Sequence, residues 1–287
     1  MHLINGIDID SLFWQACKVV LAYGEVRNPR GMATRSVGPV MMRLDSPRSR
    51  VLWNPIRKAV QGFMAGEFTW IITGSDSVEQ IEFYNTKMSL FSDDGITLAG
   101  AYGPKMVSQL PYVLETLRAD PDSRQALITL WQPSPAKSRD IPCTISLQFR
   151  RSRGKLDLIA SMRSNDLWLG LPYDIFTFTC LQELVAKELG MELGTYYHSA
   201  GDLHLYASDL VKAGMASAPT YLNTVSEMMP ALATDCLAQV RNHLNNFEVS
   251  TRVGKMRPAL SVDPFVAWIE TRLLATAISR QERVNAD

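Results

Sequence analysis

The spacing of apolar residues predicts three helices in the first 120 residues. Between 10 and 23, apolar side chains recur at intervals of three and four residues, which places them on one helix face that ends with Tyr23. Proline and glycine, which favour helix starts and stops, bound the predicted helices. These helices run over residues 10–23, 55–72 and from about 111 to 119.

From residue 126 onward the pattern changes to strands and then returns to helices. Ile145, Leu147 and Phe149 alternate with other residues, which is typical of a strand with one buried face. Arg153 and Gly154 suit a hairpin turn after this strand. The predicted strands cover residues 126–131, 144–150, 155–162 and 191–197, with a helix over 172–189 and mostly helical sequence, including 262–278, at the end. This order predicts a single domain of the α+β class.

Composition narrows the class of protein without naming a reaction. The 287 residues are 46% hydrophobic and 20% charged, and 29 Lys+Arg balance 29 Asp+Glu. Zero net charge argues against a nucleic-acid or membrane-surface binder, but a few local arginines can still hold a small anion. No apolar run approaches the ~20 residues of a membrane span. The N-terminus has no leader pattern and the four cysteines form no CxxC pair, so we expect a cytoplasmic protein without a metal.

Cys143 is the first candidate for chemistry, because it follows a proline at the start of a predicted strand. A lone cysteine is more often a small buried hydrophobe than a nucleophile. A reactive thiol needs nearby positive charge that favours the thiolate, and Arg124, Arg139 and Arg163 are candidates for that charge. Sequence distance alone does not place them.

Further polar residues suit a phosphorylated sugar. Arg163 and Ser164 follow a strand, and a guanidinium with an adjacent hydroxyl is well suited to a phosphate. His204 and Tyr206 are two residues apart, so in a strand both point to one side and can reach a sugar hydroxyl. Glu67 lies in an otherwise apolar helix pattern, where it either reaches solvent or is buried with the shifted pKa that acid–base work requires.

Taken together, these motifs resemble the thymidylate synthase superfamily. The stretches that carry the resemblance are NPR at 28–30, EFTW at 67–70, AYG at 101–103, DSR at 122–124, PC at 142–143, RSNDLWLGLPYD at 163–174 and GDLHLY at 201–206. Their order and separations match over about residues 10–210. The resemblance implies a thymidylate synthase-like fold, with a mixed or antiparallel sheet flanked by helices, followed by a divergent helical segment over 211–287.

The resemblance also implies a reaction and a homodimer. The family transfers a one-carbon unit from 5,10-methylenetetrahydrofolate, a co-substrate, to C5 of a pyrimidine nucleotide after a cysteine thiolate adds to C6. Carried over by position, the catalytic residues are Cys143, Glu67, Tyr102 and Asp174. The nucleotide would be held by Arg30, Arg163, Ser164, Asp174, His204 and Tyr206, with Arg124 reaching across from the partner subunit. Asp166, Gly170 and Tyr173 would contact the folate. The family's second partner-subunit arginine falls at Gln125, so that charge is missing here.

Asp174 is the departure that bears on the substrate. Members that methylate uracil carry asparagine there, whose amide accepts from N3–H and donates to O4. Cytosine reverses both polarities, and a carboxylate accepts from N4–H and, when N3 is protonated, from N3–H as well. A mismatch leaves buried polar groups unpaired, which discriminates by ~10⁴ or more. Asp174 therefore favours cytosine, as in the deoxycytidylate hydroxymethylase branch.

The stretch 84–92 contains no tryptophan, which is a second departure. Methylating members carry a tryptophan pair there that shields a reactive methylene group from water, so water is expected to trap that group as hydroxymethyl here. The chain also ends in RQERVNAD rather than in the apolar tail of family methylases.

We therefore predict a 5-hydroxymethyltransferase that acts on dCMP. A CMP hydroxymethylase of a nucleoside-antibiotic pathway shares every motif, and methylation of dUMP to dTMP is a further alternative that Asp174 and the missing tryptophans disfavour. The alternative outside enzymology is a catalytically silent homologue that binds a nucleotide or RNA. The neutral charge and the presence of Cys143, Glu67 and Arg163 together disfavour it.

Overall fold

A computed structural model describes residues 1–133, 137–254 and 258–284. Eight helices are present in these ranges: α1 (Ile9–Tyr23), α2 (Gln61–Ile72), α3 (Val78–Glu82), α4 (Tyr102–Ala119), α5 (Leu171–Glu188), α6 (Leu210–Ala216), α7 (Leu237–Arg252) and α8 (Pro264–Val284). The strands there are β1 (His2–Gly6), β2 (Glu25–Arg27), β3 (Thr34–Val37), β4 (Val40–Leu44), β5 (Leu127–Thr129), β6 (Thr144–Ser152), β7 (Lys155–Met162), β8 (Asn165–Asp166), β9 (Glu192–Ala200) and β10 (Leu203–Tyr206). The predicted α+β class is confirmed.

The strands form two sheets with mixed directions. The larger sheet has the order β1-β4-β9-β7-β6-β5, and its β1/β4 and β7/β9 pairs are parallel while the others are antiparallel. The smaller sheet has the order β2-β3-β10-β8. Since β7 leads directly into β8 and β9 into β10, the two sheets meet where these strands end.

Helix α5 forms the centre of the core. It packs on β7 and β9 on one side and on α2 and α7 on the other, so nearly every residue from Leu171 to Ala186 is buried. A helix covered all round has an apolar sequence without a polar face. Asp174, in its first turn, is the exception that matters for function.

Two predicted helix starts are wrong, in each case because of a proline. Helix α2 begins at Gln61 rather than at Pro55, since the Asn54 side chain accepts from the amides of Ile56 and Arg57 and holds that stretch as a turn. Helix α4 begins at Tyr102 and contains Pro111.

In α4, the proline removes one amide on an exposed face. The other side of the helix buries side chains at helical spacing, and this packing outweighs the lost hydrogen bond. The buried residues on that side are Met106, Leu110, Val113 and Leu117.

The hairpin and β7 agree with their predictions. Arg153 (φ 52°) and Gly154 (φ 79°) both adopt the left-handed conformation that a two-residue hairpin turn requires. In α1, Tyr23 was predicted on the buried face but is 66% exposed. Within the described ranges, none of the helices is both long enough and apolar enough to cross a bilayer.

Candidate active site

Cys143 lies where two cavities meet. A larger cavity of about 1080 Å³ and a smaller one of about 160 Å³ are both lined by Asp140, Ile141 and Cys143. The larger has the volume of a small-molecule site, for which about 300–1,000 Å³ is usual. Of the predicted residues, Arg30, Arg163, Ser164, Asp166, His204 and Tyr206 line the larger cavity, and Glu67, Tyr102 and Asp174 line the smaller.

The guanidinium of Arg163 is fixed beside the thiol of Cys143. Its Nε donates to the carbonyl of Pro142 at 2.9 Å, and its Nη2 donates to the carbonyl of Ile141 at 3.0 Å. Burial raises the pKa of the Cys143 thiol, and the charges of Arg163 and Arg30 partly oppose that shift. The thiol is therefore protonated in the free protein, and its proton must leave before it can act as a nucleophile.

The larger cavity is lined by an arginine cluster that includes Arg30 and Arg163. Arg27 and Arg139 belong to this cavity as well, although the sequence had not assigned them to a phosphate. Each makes an exposed ion pair, at 3.0 Å to Glu25 and at 3.3 Å to Asp93 respectively, and such pairs are too weak to hold these side chains away from an anion.

Arg124 is exposed and lines neither cavity of this chain. Its role at the phosphate of a partner subunit stays a prediction. So does the dimer itself.

His204 and Tyr206 lie side by side on β10 with their rings edge-to-face at 5.5 Å. His204 Nδ1 donates to Asp202 Oδ1 at 3.1 Å, and this bond is the main reason that the pKa of Asp202 is lowered. The second oxygen of Asp202 accepts from the hydroxyl of Ser36. In the tautomer with the proton on Nδ1, the His204 ring presents Nε2 as an acceptor, which suits the predicted sugar hydroxyl. Asp202 thus orients the histidine, a role that the sequence did not indicate.

The smaller cavity holds two carboxyl groups with raised pKa values. Burial, together with the nearby Asp174, raises the pKa of Glu67 to about 8. Burial raises the pKa of Asp174 to about 7, although Asn165 Nδ2 donates to its Oδ2 at 2.7 Å. Beside them, the Tyr102 hydroxyl accepts from the amide of Thr144 at 3.2 Å and keeps its own proton to donate. Groups that titrate near neutral pH are suited to acid–base catalysis.

Replacing Glu67 by glutamine should stabilise the protein at high pH. With a pKa of about 8 in the folded chain against 4.5 as the ordinary value, folded Glu67 binds a proton that the unfolded chain has lost. Between these values stability therefore falls as pH rises, and the glutamine side chain, which does not titrate, removes that loss. We expect E67Q to have a higher melting temperature than the wild type at pH 8 and a smaller advantage at pH 5. An equal difference at both pH values would contradict a buried, titrating Glu67.

The three predicted folate contacts also make internal contacts. Asp166 Oδ1 accepts from the amides of Trp168 and Leu169, both at 2.8 Å, and so holds the turn before α5. A Cβ on Gly170 would lie 3.3 Å from Asn165 Nδ2 and Asp174 Oδ2. Glycine therefore permits the close packing of that pair. The folate contacts stay predictions.

Tyr173 is buried and lines neither of the two cavities, and contacts within the protein hold it in place. Its hydroxyl accepts from the amide of Val60 at 3.2 Å, and its ring packs edge-on against Phe63 at 4.8 Å. Residues 86–91 belong to the stretch in which methylating members carry a tryptophan pair, and here they form a short 3-10 helix. Its Met88 lines the smaller cavity and its Phe91 the larger.

This chain is similar to known proteins over most of its length. The profile of the thymidylate synthase family matches residues 11–263, well beyond residue 210 where the resemblance in motifs ends. A deoxyuridylate hydroxymethyltransferase of Bacillus phage SP01 is 31% identical over an alignment of 229 residues, and the match covers 73% of this chain and 60% of that protein. The protein of the same name from Pseudomonas phage M6 is 30% identical over an alignment of 211 residues, and the match covers 66% of this chain and 60% of that protein. The matched region is thus less than two thirds of either relative's length. Enzymes of this family use methylenetetrahydrofolate as co-substrate, and with most of its length matched by the family profile, the chain belongs to the thymidylate synthase family.

Proposed function

We propose that the protein transfers a one-carbon unit from 5,10-methylenetetrahydrofolate to C5 of a pyrimidine nucleoside monophosphate and releases the 5-hydroxymethyl nucleotide. The observation that carries this proposal is the position of Cys143 between the arginine cluster and the carboxyl groups of Glu67 and Asp174. A nucleotide held by its phosphate at the arginines would present its base to the thiol and to both carboxyl groups.

The chemistry follows from these positions. Addition of the Cys143 sulfur to C6 makes C5 nucleophilic, so C5 can bond to the one-carbon unit. Glu67, with its pKa of about 8, carries a proton near neutral pH and can exchange it with the reacting groups through water. C5 then loses its proton to water at the site and tetrahydrofolate leaves, which gives an exocyclic methylene group on C5. Water adds to this methylene group, and the Cys143 thiolate leaves C6.

Release of a hydroxymethyl rather than a methyl product is supported by two observations. The stretch 84–92 contains no tryptophan, so nothing as large as an indole from this segment covers the reacting carbon. Both relatives named above are hydroxymethyltransferases. Exclusion of water is what protects a reactive group from hydration, and its loss favours hydration.

Asp174 supports dCMP as the nucleotide. Cytosine presents N4–H as a donor and N3 as an acceptor, so it pairs with a carboxyl group that accepts on one oxygen and carries a proton on the other. The pKa of Asp174 is about 7, so this neutral form is well populated at physiological pH. CMP would make the same base contacts.

The second candidate is dUMP, because both relatives are named for deoxyuridylate. A neutral carboxyl group can also accept from uracil N3–H and donate to O4, so protonated Asp174 is compatible with either base. What separates the two bases is which oxygen of Asp174 carries the proton.

A competition experiment tests the proposal. The protein is incubated with methylenetetrahydrofolate and equal amounts of dCMP, CMP, dUMP and UMP, and the products are identified by mass spectrometry. We expect a gain of CH2O on dCMP, and none on deoxycytidine, which lacks the phosphate that the arginines bind. CH2O on dUMP would assign the second candidate, and CH2 on dUMP would overturn hydroxymethylation. Nucleotide-induced thermal stabilisation without product from any of the four would support the silent homologue.

A further inference from the structure

A buried chain of hydrogen bonds leads from Asp174 into the core. Asn165 Nδ2 lies 2.7 Å from Asp174 Oδ2, and Asn165 Oδ1 lies 3.0 Å from Nε2 of His198. His198 Nδ1 lies 2.8 Å from the hydroxyl of Tyr196. Asn165, His198 and Tyr196 are all 3% exposed or less, and none of them lines either cavity.

The chain has one consistent direction when Asp174 is ionised. A carboxylate only accepts, so Asn165 must offer its Nδ2–H to Asp174 and its Oδ1 to His198. Burial lowers the pKa of His198 to about 3, so the ring is neutral and carries a single N–H. That N–H is on Nε2 and donates to Asn165, which leaves Nδ1 to accept from the Tyr196 hydroxyl.

This direction determines what Asp174 offers to a base. Because Oδ2 accepts from Asn165, the proton of neutral Asp174 is favoured on Oδ1. Among the described residues, none donates a hydrogen bond to Oδ1. If the chain ran the other way, the proton would be required on Oδ2 and Oδ1 would become an acceptor. The direction of a buried chain therefore sets the donor and acceptor pattern at the cavity.

Other titratable groups also surround Asp174, and they are the same in both directions of the chain. They are Glu67 on α2, Tyr102 on α4, Cys143 before β6 and Asp166 on β8. Among the described residues, only Asn165 donates a hydrogen bond to the carboxyl group of Asp174. The hydrogen-bonded chain through Asn165 therefore makes the two carboxyl oxygens of Asp174 different from each other.

We infer that Asn165, His198 and Tyr196 are positioning residues that hold the proton of Asp174 on Oδ1 and thereby set the base preference of the site. The inference deepens the proposed function and rests on it for its consequence in catalysis. The effect that it predicts on the pKa of Asp174 does not require that the protein turns over a nucleotide.

The test measures the pKa of Asp174 by carbon-13 NMR of aspartate-labelled protein, with the resonance assigned by its absence in D174N. Asn165→Ala removes the N–H that favours the carboxylate, so we expect the pKa of Asp174 to rise by about one unit. Tyr196→Phe removes only the hydroxyl that directs the chain and should raise the pKa of Asp174 by less than Asn165→Ala does. Tyr197→Phe, the neighbouring residue on the opposite face of β9, is the matched control and should leave it unchanged.

The second measurement is the binding ratio of dCMP to dUMP by calorimetry across pH 6 to 8.5. We expect N165A and Y196F to change this ratio by about tenfold while Y197F does not. An unchanged pKa and an unchanged ratio in a folded Y196F protein would overturn the inference. If the wild type binds neither nucleotide, the proposed function fails, and the pKa measurement alone decides the inference.

Discussion

Replacing Cys143 by alanine is expected to lower the rate of nucleotide turnover by about 10⁴-fold or more. The sulfur is the atom proposed to bond to C6, and without it C5 does not become nucleophilic, so no residual covalent route remains. The phosphate and sugar contacts do not involve the thiol, so the dissociation constant of the nucleotide should stay within about threefold of the wild type. Product formation is measured by mass spectrometry and binding by calorimetry.

The matched control for C143A is Cys236→Ala. Cys236 is also a half-buried thiol, but it precedes α7 and lines neither cavity. We expect C236A to turn over at the wild-type rate. Wild-type turnover by C143A would exclude the thiol mechanism, whereas loss of both turnover and binding would indicate that Cys143 matters for the shape of the site rather than for bond formation.

Replacing Asp174 by asparagine is expected to fix, at every pH, the donor and acceptor pattern of neutral Asp174. The new side chain can still accept from Asn165 Nδ2 through its carbonyl oxygen, so the contact within the protein is retained. Its NH2 group then stands in the place of the protonated Oδ1 and donates as that hydroxyl does. We therefore expect the ratio of kcat/KM for dCMP to kcat/KM for dUMP at pH 6 to stay within about threefold of the wild-type ratio.

The pH dependence gives D174N a second readout. Asp174 has a pKa of about 7 and is proposed to bind cytosine in its neutral form, so kcat/KM of the wild type for dCMP should decline as pH rises above about 7. The asparagine variant has no such titration and should lose this decline. Asp157→Asn is the control, since Asp157 is a buried carboxyl group that lines neither cavity. A reversed base preference in D174N would show that the proton of Asp174 is not held on Oδ1.

Local signals in the chain predicted a large part of the fold. The strand over 155–162 and the hairpin before it follow from alternation and from a turn whose residues tolerate positive φ. Helix α5 was placed within one residue at each end, because a long apolar run with a proline at its start and a glycine behind it admits few other structures. The small sheet of β2, β3, β8 and β10 was not predicted as a whole, since strands of two to four residues carry too short a pattern.

The helix starts that were wrong depended on contacts with distant residues. At Pro55, the Asn54 side chain forms the turn, and Arg57 anchors that turn by donating from Nε to the carbonyl of Trp168 at 2.6 Å, more than a hundred residues away. In α4, burial of one face against the core decides that the helix continues through Pro111. Local propensity contains neither contact, and tertiary packing overrides it.

The sequence by itself determined which residue types stand at the site and in what order, because a nucleophile, a phosphate cluster and an acid–base pair each need particular side chains. Tertiary structure alone decided the protonation states and the hydrogen-bond partners of these residues. The pKa values of Glu67 and Asp174 are raised because folding removes both carboxyl groups from water, and the nearby Asp174 raises that of Glu67 further. The hydrogen bonds from Asp174 through Asn165 to His198 join an α5 residue to β8 and β9, and no local pattern predicts them, since their geometry exists only once the helix packs against the strands.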